Sequence, residues 1–302
     1  MNNASKVSLF AVALVIAFGA TWAAGAAVGP LGGTTPPSTG GMARGDEATT
    51  ALPPGLSVAE NGYTLKLATE TISTGEPQPF SFRIDGPDGS PVTKFEVQHE
   101  KLLHLVLVRR DGSRYQHLHP EMAADGTWTT SLTLPAAGSY RVFADVKPEG
   151  GAKTTLGADV QAPGVYEPAR YPTDDRTSTV DGYTVRLDGD LRAGAESKVT
   201  ASVTRDGKPV TDLQPYLGAN GHLVALRGAD LAYLHVHPQA EPGTGPEVTF
   251  LVEVPTAGRY RLFLDFQHEG KVRTAEFTLG ADASTVPAAT AKPDEGHAGH
   301  GG

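Results

Sequence analysis

Six histidines carry the chemistry that this sequence offers. His104 is followed by His117 and His119, and His222 is followed by His235 and His237. The later two in each group form an H-x-H pair ahead of a proline, in Tyr115-Gln116-His117-Leu118-His119-Pro120 and Tyr233-Leu234-His235-Val236-His237-Pro238. Alternate residues of a strand share a face, so such a pair presents both imidazoles to one side. A third imidazole from a neighbouring strand completes a three-nitrogen metal site with one coordination position open. The chain has no Cys and only 3 Met. This excludes disulfides, thiolate nucleophiles and Cys-ligated zinc or iron–sulfur clusters, and it leaves little of the soft ligand set that suits Cu(I). Copper as Cu(II), zinc or nickel is the cargo that imidazoles fit.

Positioning these rings requires two hairpins. Between strands His104–Arg109 and Arg114–His119 stands Asp111-Gly112, a dipeptide that favours two-residue hairpin loops. Pairing Arg110 with Ser113 sets Val108 opposite Tyr115, Val106 opposite His117 and His104 opposite His119. Directly opposed residues have Cβ atoms about 4.5–5.5 Å apart, within reach of one ion. His222 and His237 are separated by the same 15 positions as His104 and His119. A turn centred on Ala229-Asp230 sets them opposite each other, with His235 on the same face. The expectation is two metal sites, His104/His117/His119 and His222/His235/His237.

A competing reading treats the histidines as hydrogen-bonded members of half-buried strands. Val106, Val108 and Tyr115 share the His face, while Leu105, Leu107 and Leu118 line the other. Three imidazoles packed without a cation gain little, however, and burial keeps them neutral, which is the ligating form. His99, Glu100 and Met122 are weaker ligand candidates, because Leu217, Gly218 and Ala240 stand at the matching positions. Asp145 and Asp265 recur at a strand end and read as hydrogen-bonding groups.

The hairpins sit inside a longer duplication. Pro135-Ala136-Ala137-Gly138-Ser139-Tyr140-Arg141-Val142-Phe143-Ala144-Asp145 returns as Pro255-Thr256-Ala257-Gly258-Arg259-Tyr260-Arg261-Leu262-Phe263-Leu264-Asp265, and Gly62-Tyr63 returns as Gly182-Tyr183. Among 302 residues, 36 Gly and 23 Pro punctuate short runs of alternating hydrophobicity. The expected fold class is all-β: two tandem immunoglobulin-like antiparallel β-sandwich domains, 61–164 and 181–280, joined by a linker over 165–180. The Gly-x-Tyr turns at Tyr140 and Tyr260 have the form of tyrosine corners.

Ahead of the repeats, Val7–Val28 is uncharged and long enough to cross a bilayer as a helix. Ala24-Gly25-Ala26 also suits signal-peptide processing. Residues 1–60 are read as signal anchor or signal peptide plus a Gly/Pro/Thr-rich tether, and 281–302 as a flexible tail containing His297 and His300. The repeats are then extracytoplasmic, either on the cell membrane with a single pass or secreted. A formal net charge of −9 without a basic cluster argues against nucleic acid as a partner.

The string His-Leu-Val-x-x-Arg, a short turn and His-x-His-Pro, in an exported sandwich, resembles the YtkA-like and FixH-like extracytoplasmic domains. That resemblance implies copper or another heavy metal; the expected partner beyond the metal ion is a metal transporter or another membrane protein. The function expected is metal buffering, storage or delivery, without catalysis. Glu100 and Glu121 flank the first cluster, but Gly218 and Gln239 replace them in the second, so no general acid or base recurs. The alternative is a non-catalytic extracellular interaction or scaffold module with structural histidines.

Overall fold

Alternation of buried and exposed residues marks most strands, as in Tyr183–Asp188, where Tyr183, Val185 and Leu187 point inward. The computed structural model describes residues 53–234, 236–239 and 245–283. Segment Val7–Val28, its tether, His235 and the tail with His297 and His300 lie outside the described residues. Among the described residues every regular element is a strand, and no helix is long and apolar enough to cross a membrane. The first repeat supplies β1 (Ala59–Glu60), β2 (Tyr63–Leu67), β3 (Gln78–Asp85), β4 (Leu103–Arg109), β5 (Gln116–Leu118), β6 (Glu121–Met122), β7 (Trp128–Leu132), β8 (Gly138–Val146) and β9 (Thr154–Ala162). The second supplies β10 (Thr177–Val180), β11 (Tyr183–Asp188), β12 (Leu191–Ala193), β13 (Ala195–Arg205), β14 (Lys208–Pro209), β15 (His222–Arg227), β16 (Val236–Pro238), β17 (Glu247–Val254), β18 (Gly258–His268) and β19 (Lys271–Ala283).

Each repeat is an immunoglobulin-like sandwich. In the first, the sheet β1-β2-β3-β7-β6 faces the sheet β5-β4-β8-β9, and in the second β10-β11-β13-β17-β16 faces β12-β19-β18-β15. Among the described strands the pairings are antiparallel except the edge pair β12–β19, and two isolated bridges, Thr71–Gln161 and Thr74–Leu134, are parallel. Phe80, Phe82, Leu105, Leu107, Trp128 and Val142 fill the first core. Val185, Val199, Phe250, Leu262 and Phe277 fill the second. Both tyrosine corners are present: the Tyr140 hydroxyl donates to Ala136 O and the Tyr260 hydroxyl to Thr256 O, each at 2.7 Å.

Strand β4 breaks the alternation, because all seven of its residues are buried. Burial on both faces demands a second covering layer. The second sandwich provides it. Val106, Val108 and Phe143 meet Val224, Leu226, Leu231 and Phe263 in a third apolar cluster, flanked by Tyr115 and Tyr233. The contacts are reciprocal. Tyr115 stacks on Phe263 with ring centroids 4.2 Å apart, and Tyr233 packs on Phe143 at 5.5 Å. Homologous faces thus pack against each other, as in a two-fold dimer written on one chain. Fully burying a Phe or Leu side chain is worth about 1.5–3 kcal/mol, so this layer ties the sandwiches firmly together.

Polar ties flank it. Gly55 inserts beside Phe143 at φ +76, where an added Cβ would lie 2.5 Å from the ring. Its carbonyl accepts from Arg141 Nη2 at 2.6 Å. The neighbouring Pro54 carbonyl accepts from the Tyr233 N–H at 2.9 Å. On the other side Arg261 Nε donates to Gly112 O at 3.1 Å.

Candidate metal centre

The expected register holds in the first hairpin. Val106 pairs with His117 and Leu105 with Leu118, which puts His104 in line with His119. The loop itself is not the two-residue turn expected. Arg109 N–H bonds Ser113 O, leaving Arg110, Asp111 and Gly112 between them. Arg114 then takes φ +59 and re-enters the same register. Asp111 explains the wider loop: it accepts from Arg109 Nη2, Ser113 Oγ and the Ala169 N–H, each at 2.7 Å, and so anchors strand and linker at once.

The second hairpin begins on its expected register as well, with Leu226 bridged to Tyr233 and the Leu234 N–H bonded to Ala225 O. It then departs. Strand β16 has crossed to the facing sheet, pairing Val236 with Val252 and His237 with Leu251. Val236 packs on the second core, so its neighbour His237 points outward and is exposed. The expected His222–His237 pairing is therefore corrected, because the two residues belong to strands of different sheets. His235 lies outside the described residues.

What the structure assembles is one cluster shared by both sandwiches. His104, His117 and His222 each offer a ring nitrogen, and these atoms all lie within 4.8 Å of one another. His119 adjoins them: its Nε2 is 3.3 Å from His104 Nδ1, and its ring centroid is 4.7 Å from that of His117. His222 reaches in from β15, stacked on His104 at 5.4 Å and tilted against His117 at 4.8 Å. His222 thus joins the first trio, and the second predicted trio cannot be assembled from the described residues because His235 lies outside them. Face-to-face packing of the repeats brings the first trio and His222 together across the domain boundary.

Hydrogen-bond partners dictate which nitrogens point inward. The carbonyl of Gln98 lies 2.9 Å from His104 Nε2. A carbonyl only accepts, so Nε2 carries the proton and a neutral ring leaves Nδ1 bare. Asp265 Oδ2 lies 2.8 Å from His117 Nδ1. An ionised carboxylate also only accepts, so the bare nitrogen of a neutral His117 is Nε2. In that state the two bare nitrogens face each other at 3.1 Å. Burial pushes the His104 pKa down to about 4 and that of His119 down to about 3, and drives that of His222 well below its ordinary value. Those rings are neutral near pH 7. His222 Nδ1 is buried with no hydrogen-bond partner. Converging lone pairs repel unless a cation or an added proton lies between them. A tetrahedral ion with bonds of 2.0–2.1 Å separates its nitrogen ligands by roughly 3.3 Å.

Asp265, which sequence reasoning placed only at a strand end, joins the cluster from behind His117. It pairs with His222 across β18 and β15, yet its carboxylate reaches into the other sandwich to hold His117. Thr274 Oγ1 donates to it at 2.5 Å, and its side chain is 2% exposed. A carboxylate orienting a histidine whose other nitrogen faces a metal is a recurrent outer-shell arrangement. The signal for it was an Asp recurring at the end of an otherwise apolar strand. Its homologue Asp145 accepts from Thr155 Oγ1 at 2.9 Å and ion-pairs with Lys153 at 3.3 Å.

The chain belongs to the family described as domain of unknown function DUF8832, which it matches twice, over residues 57–164 and 178–283. The likeness of its His hairpin to YtkA-like and FixH-like domains is not part of that match. No curated protein matches the chain. Similar solved structures include the Escherichia coli adhesin FdeC, at 16% identity and TM-score 0.25, covering 75% of this chain and 66% of that one. A Salmonella α-2-macroglobulin follows at 13% identity and TM-score 0.26, covering 75% of this chain and 15% of that one. Domains 4 and 5 of the S-layer protein SbsC give 12% identity and TM-score 0.22, covering 75% of this chain and 98% of theirs. The chain thus spans about two thirds of the adhesin structure and a small part of the macroglobulin.

Proposed function

We propose that this DUF8832 protein is a non-catalytic metal-binding module that holds one Cu(II) or Zn(II) ion between its two sandwiches, for buffering, storage or delivery. The observation that carries this reading is the approach of two ring nitrogens, His104 Nδ1 and His117 Nε2, to 3.1 Å, with an acceptor behind each ring. His222 and His119 supply further nitrogens around the same point. All-imidazole ligation suits Cu(II) and Zn(II), and the affinity order places copper above zinc for a given site. The uncharged Val7–Val28 segment supports an extracytoplasmic location on the cell membrane or in secreted form. There the ion would be exchanged with a metal transporter or another membrane protein.

The test is metal titration of tail-deleted protein. The reading expects one tightly held ion per chain, lost when His104, His117 or His222 is replaced by Ala, and retained in His237→Ala. Two ions lost independently, one with His104 and one with His237, would restore the two-site expectation. Binding weaker than roughly millimolar, about −4 kcal/mol, favours the scaffold reading, in which the histidines are structural.

A further inference from the structure

Resting on that reading, we infer that His99 is the exchange ligand of the centre, the exposed imidazole through which the ion passes between solvent and the buried nitrogens. His104, His117 and Asp265 are almost wholly buried, and a bare divalent ion does not cross apolar packing at any reasonable cost. It needs a ligand that meets solvent on one side and the cluster on the other. His99 is exposed, yet its ring centroid lies 6.0 Å from that of His104 and 5.9 Å from that of His222. It therefore stands over ligands from both sandwiches.

The local backbone holds it there against its own preference. Gln98 and Lys101 exchange both backbone hydrogen bonds, closing a two-residue loop with His99 at φ +45 and Glu100 at φ +64. Such a loop favours Asn-Gly. The matching loop of the second sandwich, between Tyr216 and Ala219, carries Leu217-Gly218. Two non-glycine residues in the left-handed region form a conformational outlier of the sort that gathers at functional sites. The same loop supplies the Gln98 carbonyl that orients His104, so motion of His99 is transmitted to a buried ligand.

Two further observations place a path beneath the ring. A small cavity of about 20 Å³, enough for roughly one water, is lined by both His99 and His222, with Leu217, Gly221, Val236 and Phe250. His237 is near enough for its charge to act on His99, and its neighbours Val236 and Pro238 line the same cavity. A separate open cleft reaches the cluster at His119 and is lined also by Gln78 and Glu121. That cleft is the rival route.

The test separates equilibrium from rate, with Cu(II) and Zn(II) as probes. Loading and release to a chromophoric chelator are followed by stopped flow for the full chain, for His99→Asn, which suits the left-handed turn, and for His99→Ala. The expectation is a dissociation constant within about threefold of the parent, with loading and release both slowed at least tenfold in either variant. Glu121→Gln and Gln78→Ala should leave both rates unchanged. If the parent binds the ion and His99→Asn exchanges at parental rates, His99 is not the exchange ligand. Slow exchange in the cleft variants would overturn its role equally. If the parent binds neither ion stoichiometrically, the failure lies with the metal reading itself.

Discussion

Replacing Asp265 by Asn tests the geometry at its most specific point. The carboxylate accepts from His117 Nδ1 at 2.8 Å and from Thr274 Oγ1 at 2.5 Å, with the Tyr115 hydroxyl at 3.4 Å, and it is 2% exposed. Asn keeps the volume and one acceptor oxygen, and Thr274 can accept from the new amide. What disappears is the negative charge that makes His117 a better donor toward an ion. Loss of such an outer-shell partner costs 10- to 100-fold in metal affinity, or about 1.4–2.8 kcal/mol. Chelator-treated protein should respond differently. If His117 is neutral there, a rearranged hydrogen bond changes folding stability by about 1 kcal/mol. If His117 is instead a permanent imidazolium paired with Asp265, removing one partner of a buried ion pair costs about 3–5 kcal/mol. Competition titration and urea denaturation of the same variant measure the two quantities. Undiminished metal affinity, or a metal-free loss of several kcal/mol, would refute the lone-pair argument.

Other expectations follow from the same contacts. The metal-free protein should lose stability as pH falls from about 6.5 toward 4. His104 has its folded pKa depressed to about 4, so the unfolded chain binds the extra proton first, with a ceiling on the order of 3 kcal/mol. Urea melts at pH 7.5 and 4.5 should show this, and His104→Gln should flatten the slope. Phe263→Ala removes the ring stacked on Tyr115 and should cost about 3–5 kcal/mol. Calorimetry should then resolve two transitions where the parent shows one, and metal affinity should fall because His222 separates from His104 and His117. Tyr140→Phe and Tyr260→Phe delete a 2.7 Å bond each and should each cost about 1 kcal/mol in urea denaturation, leaving metal affinity intact.

Much of the architecture was legible because its determinants are local. Period-2 alternation, the repeated Gly-x-Tyr corners and hairpin arithmetic gave the sandwiches and set Val106 opposite His117. The loop around Asp111 was wider than expected, yet Arg114 restored the pairing, so the difference did not propagate to the histidines. The fate of β16 was not legible. Both repeats carry His-Pro after their second strand, and nothing in that string distinguishes a chain that stays with its hairpin through His119 from one that changes sheets before His237. Sheet choice is set by nonlocal packing, here that of Val236 on the second core.

The centre itself was hidden for a related reason. Val106, Val108 and Tyr115 beside the histidines look like the outer face of a half-buried strand, and periodicity cannot say what covers such a face. Their counterparts Val224, Leu226 and Tyr233 cover it. Duplication suggests two copies of a site, but packing homologous faces together superimposes what each copy carries onto one locus. A near-symmetric pairing need not use its ligands symmetrically. Asp265 crosses the boundary to hold His117, whereas Asp145 is held by Thr155 and Lys153. His119 stays with the cluster while His237 turns to solvent. An ion bound there holds rings from both sandwiches, so its binding energy is also energy of domain association. Loading should therefore stabilise both sandwiches together by RT ln(1 + [L]/Kd) and raise the temperature at which they unfold, as one transition. If metal raises the melting of the first sandwich alone, His222 is not a ligand and the centre belongs to the first hairpin.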